Sequence, residues 1–151
     1  VNDVQAKRLD YCKERFSFID TYCGSDLAGF VKKWTQGKGL DIAIAACPVP
    51  SVQAALPALM NYGGRVNFFG GIPADREPVA IDTNLIHYKE LYLTGSTRSS
   101  IVQYRRTMEF VKEGLLDVEA LITDRYQLED ALQAFENAKE ARGIKHVICF
   151  S

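Results

Sequence analysis

Apolar and polar positions alternate along the chain in two rhythms. Over residues 4–14, Val4, Leu9 and Cys12 are apolar, while Lys7, Arg8, Lys13 and Glu14 are polar. That spacing predicts an amphipathic helix. "FSFIDTY" predicts a short strand at Phe16–Tyr22. Ser25 or Asp26 can cap a second helix, "DLAGFVKKWTQ", which ends at Gly37. "LDIAIAA", Leu40–Ala46, is a continuous apolar run that suits a strand buried on both faces. Pro50 and Ser51 can open the next helix, "SVQAALPALMNY", with Gly63–Gly64 as its stop. Pro57 inside that pattern predicts a kink or a late start.

"RVNFFGG" predicts another buried strand, Arg65–Gly70, followed by the loop "IPADREPVAID". "TNLIHYK" reads as a brief helical turn and "ELYLTGS", Glu90–Ser96, as a strand. Two further amphipathic helices follow, "SSIVQYRRTMEFVKEGLL" and "YQLEDALQAFENAKEARG", the second ending at Gly143. The strand "IKHVICF" closes the series. Strands alternating with helices across short connections specify an α/β protein with a parallel sheet. After about Leu115 the rhythm breaks, and the remaining loop, helix and strand can belong to a neighbouring layer or domain.

Composition narrows the function classes. A net charge of −1 provides no basic field for nucleic acid or anionic lipid. No apolar run approaches the roughly 18–20 residues of a membrane helix. The N-terminus lacks a signal-peptide layout. The four cysteines, Cys12, Cys23, Cys47 and Cys149, show no C-x-x-C spacing and are expected to be reduced thiols of a cytoplasmic protein. His87 and His146 are far apart in sequence, and neither a metal-ligand cluster nor a G-x-S-x-G motif is present.

In a doubly wound sheet, ligands bind at the carboxyl ends of the strands. The residues there are Asp3, Ala45–Pro48, Phe69–Pro73 and Gly95–Arg98. An acid at Asp3 can accept hydrogen bonds from ribose hydroxyls and repel a 2′-phosphate. It can equally serve as a helix N-cap. Gly70 and Gly71 can let the backbone approach a ligand, or form a plain turn. Arg98 can reach an anionic or polyol ligand, or form an ordinary surface ion pair. Lys145 reads locally as solvated charge.

In this order, "DVQAKRL", "GLDIAIAA", "ALMNYGGRVNFFGGIP", "ELYLTGSTR", "GLLDVEALIT", "YQLEDALQAFENA" and "IKHVICF" resemble the C-terminal part of the zinc-dependent medium-chain alcohol dehydrogenases. The sorbitol (L-iditol) and L-threonine dehydrogenases are the branch it resembles most. The resemblance implies a partial Rossmann-type, doubly wound parallel sheet, strands 3 to 6. Residues 1–115 would form the C-terminal portion of the NAD-binding domain. Residues 116–151 would return to the catalytic domain. Asp3 then matches the acid that binds the adenosine ribose of NAD, and Arg8 the basic residue beside it. Cys47 matches backbone on the nicotinamide side, and Gly70, Gly71 and Ile72 the segment next to the ring. Ser96 and Arg98 match the segment at the carboxamide, with Arg98 facing the pocket in the sorbitol branch. Lys145 matches a basic residue that reaches the pyrophosphate.

The departures are equally specific. A G-x-G-x-x-G loop belongs about 20 residues before the acid, yet only two residues precede Asp3. The zinc ligands and structural zinc lobe of the family have no counterpart here, so no residue is assigned to a metal or to catalysis. The expectation is a fragment of an NAD- and zinc-dependent enzyme that oxidises a secondary, polyol-like alcohol to a ketone. Alone it would be inactive and unstable. Its partners would be a small alcohol or polyol and further copies of the chain, paired through Glu90–Ser96. Neither nucleic acid nor membrane is expected. The alternatives are a non-catalytic, oligomerising remnant and a zinc-free, NADP-dependent reductase.

Overall fold

The structure is a computed structural model that describes residues 1–150. The chain forms two compact units: Ser25–Arg98, and Val1–Gly24 together with the stretch from Ser99 onward. No helix among the described residues is long and apolar enough to cross a membrane.

In the unit Ser25–Arg98 the order is α2 (Leu27–Trp34, after α1 of the other unit, Ala6–Arg15), β1 (Leu40–Ala45), α3 (Pro50–Leu59), β2 (Met60–Phe68), α4 (Thr83–Tyr88) and β3 (Tyr92–Gly95). The strands form a three-stranded parallel sheet in the order β1-β2-β3. This is the parallel α/β grammar the sequence predicts. Asp26 caps α2 by accepting the Gly29 N–H at 2.8 Å, which leaves one fewer orphan donor at the helix start.

The core is Ala43, Ala45, Leu56, Met60, Val66 and Leu91, with Leu40, Leu59, Phe68, Ile86 and Leu93 against it. One face of β1 is therefore buried, while Ile42 and Ile44 on the other are each 66% exposed. The expectation of a strand buried on both faces does not hold for β1 in this chain.

The helix expected to stop at Gly63–Gly64 stops at Leu59 instead, because Met60 is already extended. Both glycines lie inside β2. The register jumps there from Leu40–Met60 to Ile42–Arg65, so residues 61–64 are accommodated as a bulge. Gly63 takes φ +68 and donates its N–H to Lys89 O at 2.7 Å. A left-handed residue in a bulge is the geometry that favours glycine. Pro57 falls in the last turn of α3, where it has no amide to donate to the carbonyl four residues earlier, and the helix ends two residues later at Leu59.

Beside the bulge, the Tyr62 hydroxyl is hydrogen-bonded to Glu90, which raises its pKa, with desolvation and the Glu90 charge acting in the same direction. The phenolate is the form these effects oppose. Glu90→Gln is expected to bring Tyr62 titration down toward the ordinary tyrosine range, read by ultraviolet absorbance against pH.

The other unit holds α1, α5 (Ile101–Lys112), β4 (Ile122–Gln127), α6 (Ala131–Lys139) and β5 (Lys145–Cys149). β4 and β5 form a two-stranded parallel sheet. β4 had no counterpart among the predicted strands. α5 begins with a full capping box: Gln103 N donates to Ser100 Oγ at 3.2 Å, and Ser100 N to Gln103 Oε1 at 2.8 Å. Reciprocal bonds of this kind define a helix start.

The strand expected at Phe16–Tyr22 is not formed. Only one parallel bridge exists there, between Asn2 and Tyr22, supported by Tyr22 N to Val1 O at 2.9 Å and Asp3 N to Tyr22 O at 3.4 Å. A ladder needs an extended partner of similar length. Here the single bridge does not extend into a ladder, and Phe18 is 86% exposed rather than packed on a sheet face.

Candidate functional site

Parallel pairing brings three strand ends to one level. Ala45 pairs with Phe68, and Phe68 pairs with Gly95, so β1, β2 and β3 end on a common rung. Cys47 stands two residues beyond that rung, Gly70 two, Ser96 one and Arg98 three. Six of the predicted site residues (Cys47, Gly70, Gly71, Ile72, Ser96 and Arg98) thus belong to loops leaving the same end of one sheet. This is the end where open parallel sheets bind ligands.

The loops are held to the strands by backbone bonds. Ala45 O accepts both Phe69 N–H at 3.1 Å and Gly70 N–H at 2.7 Å. A Cβ at Gly70 would meet Cys47 N, C and O at 2.8–2.9 Å. Gly70 is therefore needed for backbone-to-backbone packing rather than for its φ. Gly71 differs: nothing lies within 4 Å of the place its Cβ would take, so it offers open backbone at the strand end.

Ser96 is tied to the sheet. Its N–H donates to Phe68 O at 3.3 Å, and its Oγ donates to Asn67 Oδ1 at 3.0 Å. Asn67 in turn donates through Nδ2 to Thr94 Oγ1 at 3.2 Å. Arg98 is exposed and adopts φ +55. A non-glycine residue in the left-handed region carries a conformational cost and is often found at working sites.

The remaining predicted residues, Asp3, Arg8 and Lys145, lie in the other unit. Asp3 is half-buried, and its Oδ1 accepts Gln5 N–H at 2.8 Å. Gln5 is the N-cap position of α1, so Asp3 organises the turn before the helix without being its cap.

Arg8 donates from Nη2 to Ala141 O at 3.4 Å, while its buried Nε has no partner. The guanidinium thus braces the turn between α6 and β5. Lys145, the first residue of β5, is exposed. The same turn is held by His146, whose Nδ1 lies 3.0 Å from Asp124 Oδ2 and whose Nε2 lies 2.6 Å from Arg142 O. His146 thus links β5 to Asp124 of β4 and to the Arg142 carbonyl.

Sequence reasoning missed two polar residues of the site, Asn67 and Gln53. Gln53 is buried and donates from Nε2 to Gly70 O at 2.6 Å and to Cys47 O at 3.3 Å. The available signal was position: Gln53 precedes the buried Leu56 and Pro57 by three and four residues on α3, which is the same helix face. All four cysteines are free. Among the described residues, no group of three or more His, Cys, Asp or Glu could hold a metal, so zinc has no fitting ligand set among them.

Comparison with known proteins agrees with the parallel α/β fold. A family model described as zinc-binding dehydrogenase matches residues 1–113. The Probable D-xylulose reductase A of Emericella nidulans is 32% identical over 153 aligned residues, covering 97% of this chain and 41% of that protein. The chain therefore spans about two fifths of the length of that curated relative. An Escherichia coli oxidoreductase/dehydrogenase of unknown specificity, involved in membrane biogenesis, superposes with a TM-score of 0.84. It is 27% identical and covers 100% of this chain and 43% of its own. A short chain alcohol dehydrogenase from E. coli CFT073, complexed with NADH, also reaches a TM-score of 0.84. At 22% identity, over 99% of this chain and 44% of its own, it speaks to the fold. With the parallel sheet, the shared strand-end rung and these matches in place, the chain belongs to the zinc-binding dehydrogenase family and corresponds to the C-terminal part of its medium-chain alcohol and polyol members.

Proposed function

We propose that this chain is the nucleotide-binding portion of an NAD-dependent dehydrogenase that oxidises a secondary alcohol of a polyol-like substrate to a ketone. The observation that carries it is the common rung, which gathers Cys47, Gly70, Gly71, Ile72, Ser96 and Arg98 at the ligand-binding end of the sheet. A D-xylulose reductase among the relatives supports a polyol.

Asp3 would accept hydrogen bonds from the adenosine ribose, with Arg8 beside it and Lys145 toward the pyrophosphate. Gly70, Gly71 and Ile72 would pass the nicotinamide end, where Gly71 leaves the backbone open. Ser96 and Arg98 would offer a hydroxyl, amides and a cation to the carboxamide and the substrate pocket. When bound, NAD supplies the hydride acceptor, and the protein's part is to hold and orient it. Zinc lacks a fitting ligand set among the described residues, so no step is assigned to it and turnover by this chain alone is not expected.

The acid at Asp3 sets the test. A carboxylate at the ribose disfavours a 2′-phosphate by like-charge repulsion. Titration followed by the fluorescence of Trp34, the single tryptophan, should show tighter binding of NAD than NADP. Asp3→Ser should narrow that preference by about tenfold, equivalent to ~1.4 kcal/mol. Equal affinities for the two dinucleotides in the unaltered chain would overturn the role of Asp3.

A second reading is favoured by one observation. β3 pairs with β2 along one edge only, and the sheet order leaves its other edge unpaired among the described residues. Open edges template strand addition, so a module that associates through Glu90–Ser96 with a second copy is the competing reading. Sedimentation equilibrium, with and without a proline at Leu93, distinguishes an edge-paired dimer from a monomer.

A further inference from the structure

The buried amide of Gln53 is the least expected group in the sheet unit. Gln53 is 6% exposed and stands on the face of α3 that also buries Leu56 and Pro57. An amide taken out of water without partners costs free energy, whereas one that donates to good acceptors does not. Here Nε2 gives one bond to Gly70 O at 2.6 Å and one to Cys47 O at 3.3 Å. These carbonyls lie on two different loops, one after β1 and one after β2.

The two loops also touch directly. Gly70 packs so closely on Cys47 that a Cβ would sit 2.8–2.9 Å from three of its backbone atoms. A shared donor and a glycine contact therefore join the same two segments. Helix α3, which connects β1 to β2, supplies the donor from its buried face. An apolar residue would have served equally well if filling the core were the only requirement.

We propose that Gln53 is a positioning residue: its carboxamide locks the loops of Cys47 and Gly70 together and so sets the shape of the nicotinamide end of the dinucleotide site. This rests on the dinucleotide reading given above. Gln53 touches neither substrate nor cofactor in this role; it acts through the two carbonyls.

The test compares NADH with ADP-ribose, which lacks the nicotinamide, on the purified chain and on Gln53→Met. Methionine retains the length of the side chain and removes the donor. The expected result is NADH affinity lowered by about tenfold, with ADP-ribose affinity unchanged. Hydrogen exchange at the Gly70, Gly71 and Ile72 amides should quicken at the same time. A merely structural glutamine would lower the melting temperature and leave the ratio of the two affinities alone, which would overturn the proposal. So would unchanged exchange at these amides. An unaltered chain that binds neither ligand would instead overturn the dinucleotide reading, and the exchange measurement would still decide whether the lock exists. If Gln53→Met does not fold, Gln53→Asn keeps an amide but withdraws it from both carbonyls, and the same selective loss is expected.

Discussion

Gly70→Val is expected to abolish dinucleotide binding and to lower stability by about 1–3 kcal/mol, the usual cost of forcing extra atoms into a packed site. The reason is local and severe. The new Cβ would fall 2.8–2.9 Å from Cys47 N, C and O. These are backbone atoms, which cannot swing aside as a flexible side chain would. Relief requires one strand-end loop to move, and moving it breaks the Gly70 N–H bond to Ala45 O and the Gln53 bond to Gly70 O. Gly71→Ala is the control. With nothing within 4 Å of its Cβ position, it should change stability by less than about 0.5 kcal/mol. Urea denaturation and a dinucleotide titration on both variants read the two effects. Equal stabilities for Gly70→Val and the unaltered chain would show that the loop contact is not rigid.

Met60→Ala is expected to destabilise the sheet unit by about 2–5 kcal/mol, the range for deleting a long core side chain. Met60 is 2% exposed and belongs to the main core cluster with Leu56, Val66 and Leu91. Its terminal methyl also fills the space beside Gly64, lying 3.0 Å from where a Cβ would stand there. Truncation would leave a void against Val66, the most deeply buried residue of the sheet at 0% exposure. The midpoint of a urea melt should fall markedly without a change in slope. A loss under about 1 kcal/mol would mean the core collapses around the gap.

Much of the fold is legible in the chain because its signals are local. Ser100 and Gln103 announce α5 by the spacing of a capping box. Asp26 announces α2. The apolar runs at Leu40–Ala45 and in Met60–Phe68 become neighbouring parallel strands. Where the pattern misled, a long-range partner decided the outcome. Phe16–Tyr22 has strand composition, but a single bridge at Tyr22 is all the pairing it finds. Gly63–Gly64 has the look of a helix stop, but the pairing of Leu40 with Met60 draws those glycines into the strand as a bulge. Ile122–Gln127 alternates too weakly to read as a strand, and pairing with β5 makes it one.

The candidate site divides in the same way. Which residue types stand at the strand ends was readable from the chain alone: the glycines at 70 and 71, the serine at 96 and the arginine at 98, whereas Asp3 follows only an isolated bridge at Asn2. These are properties of order and spacing. That Ala45, Phe68 and Gly95 share a rung, that Gly70 presses on Cys47, and that Gln53 reaches both loops from the buried face of α3 could come only from the tertiary structure. Register between parallel strands depends on partners dozens of residues apart. A mid-helix glutamine shows its role only when the carbonyls it must satisfy are brought within hydrogen-bond distance.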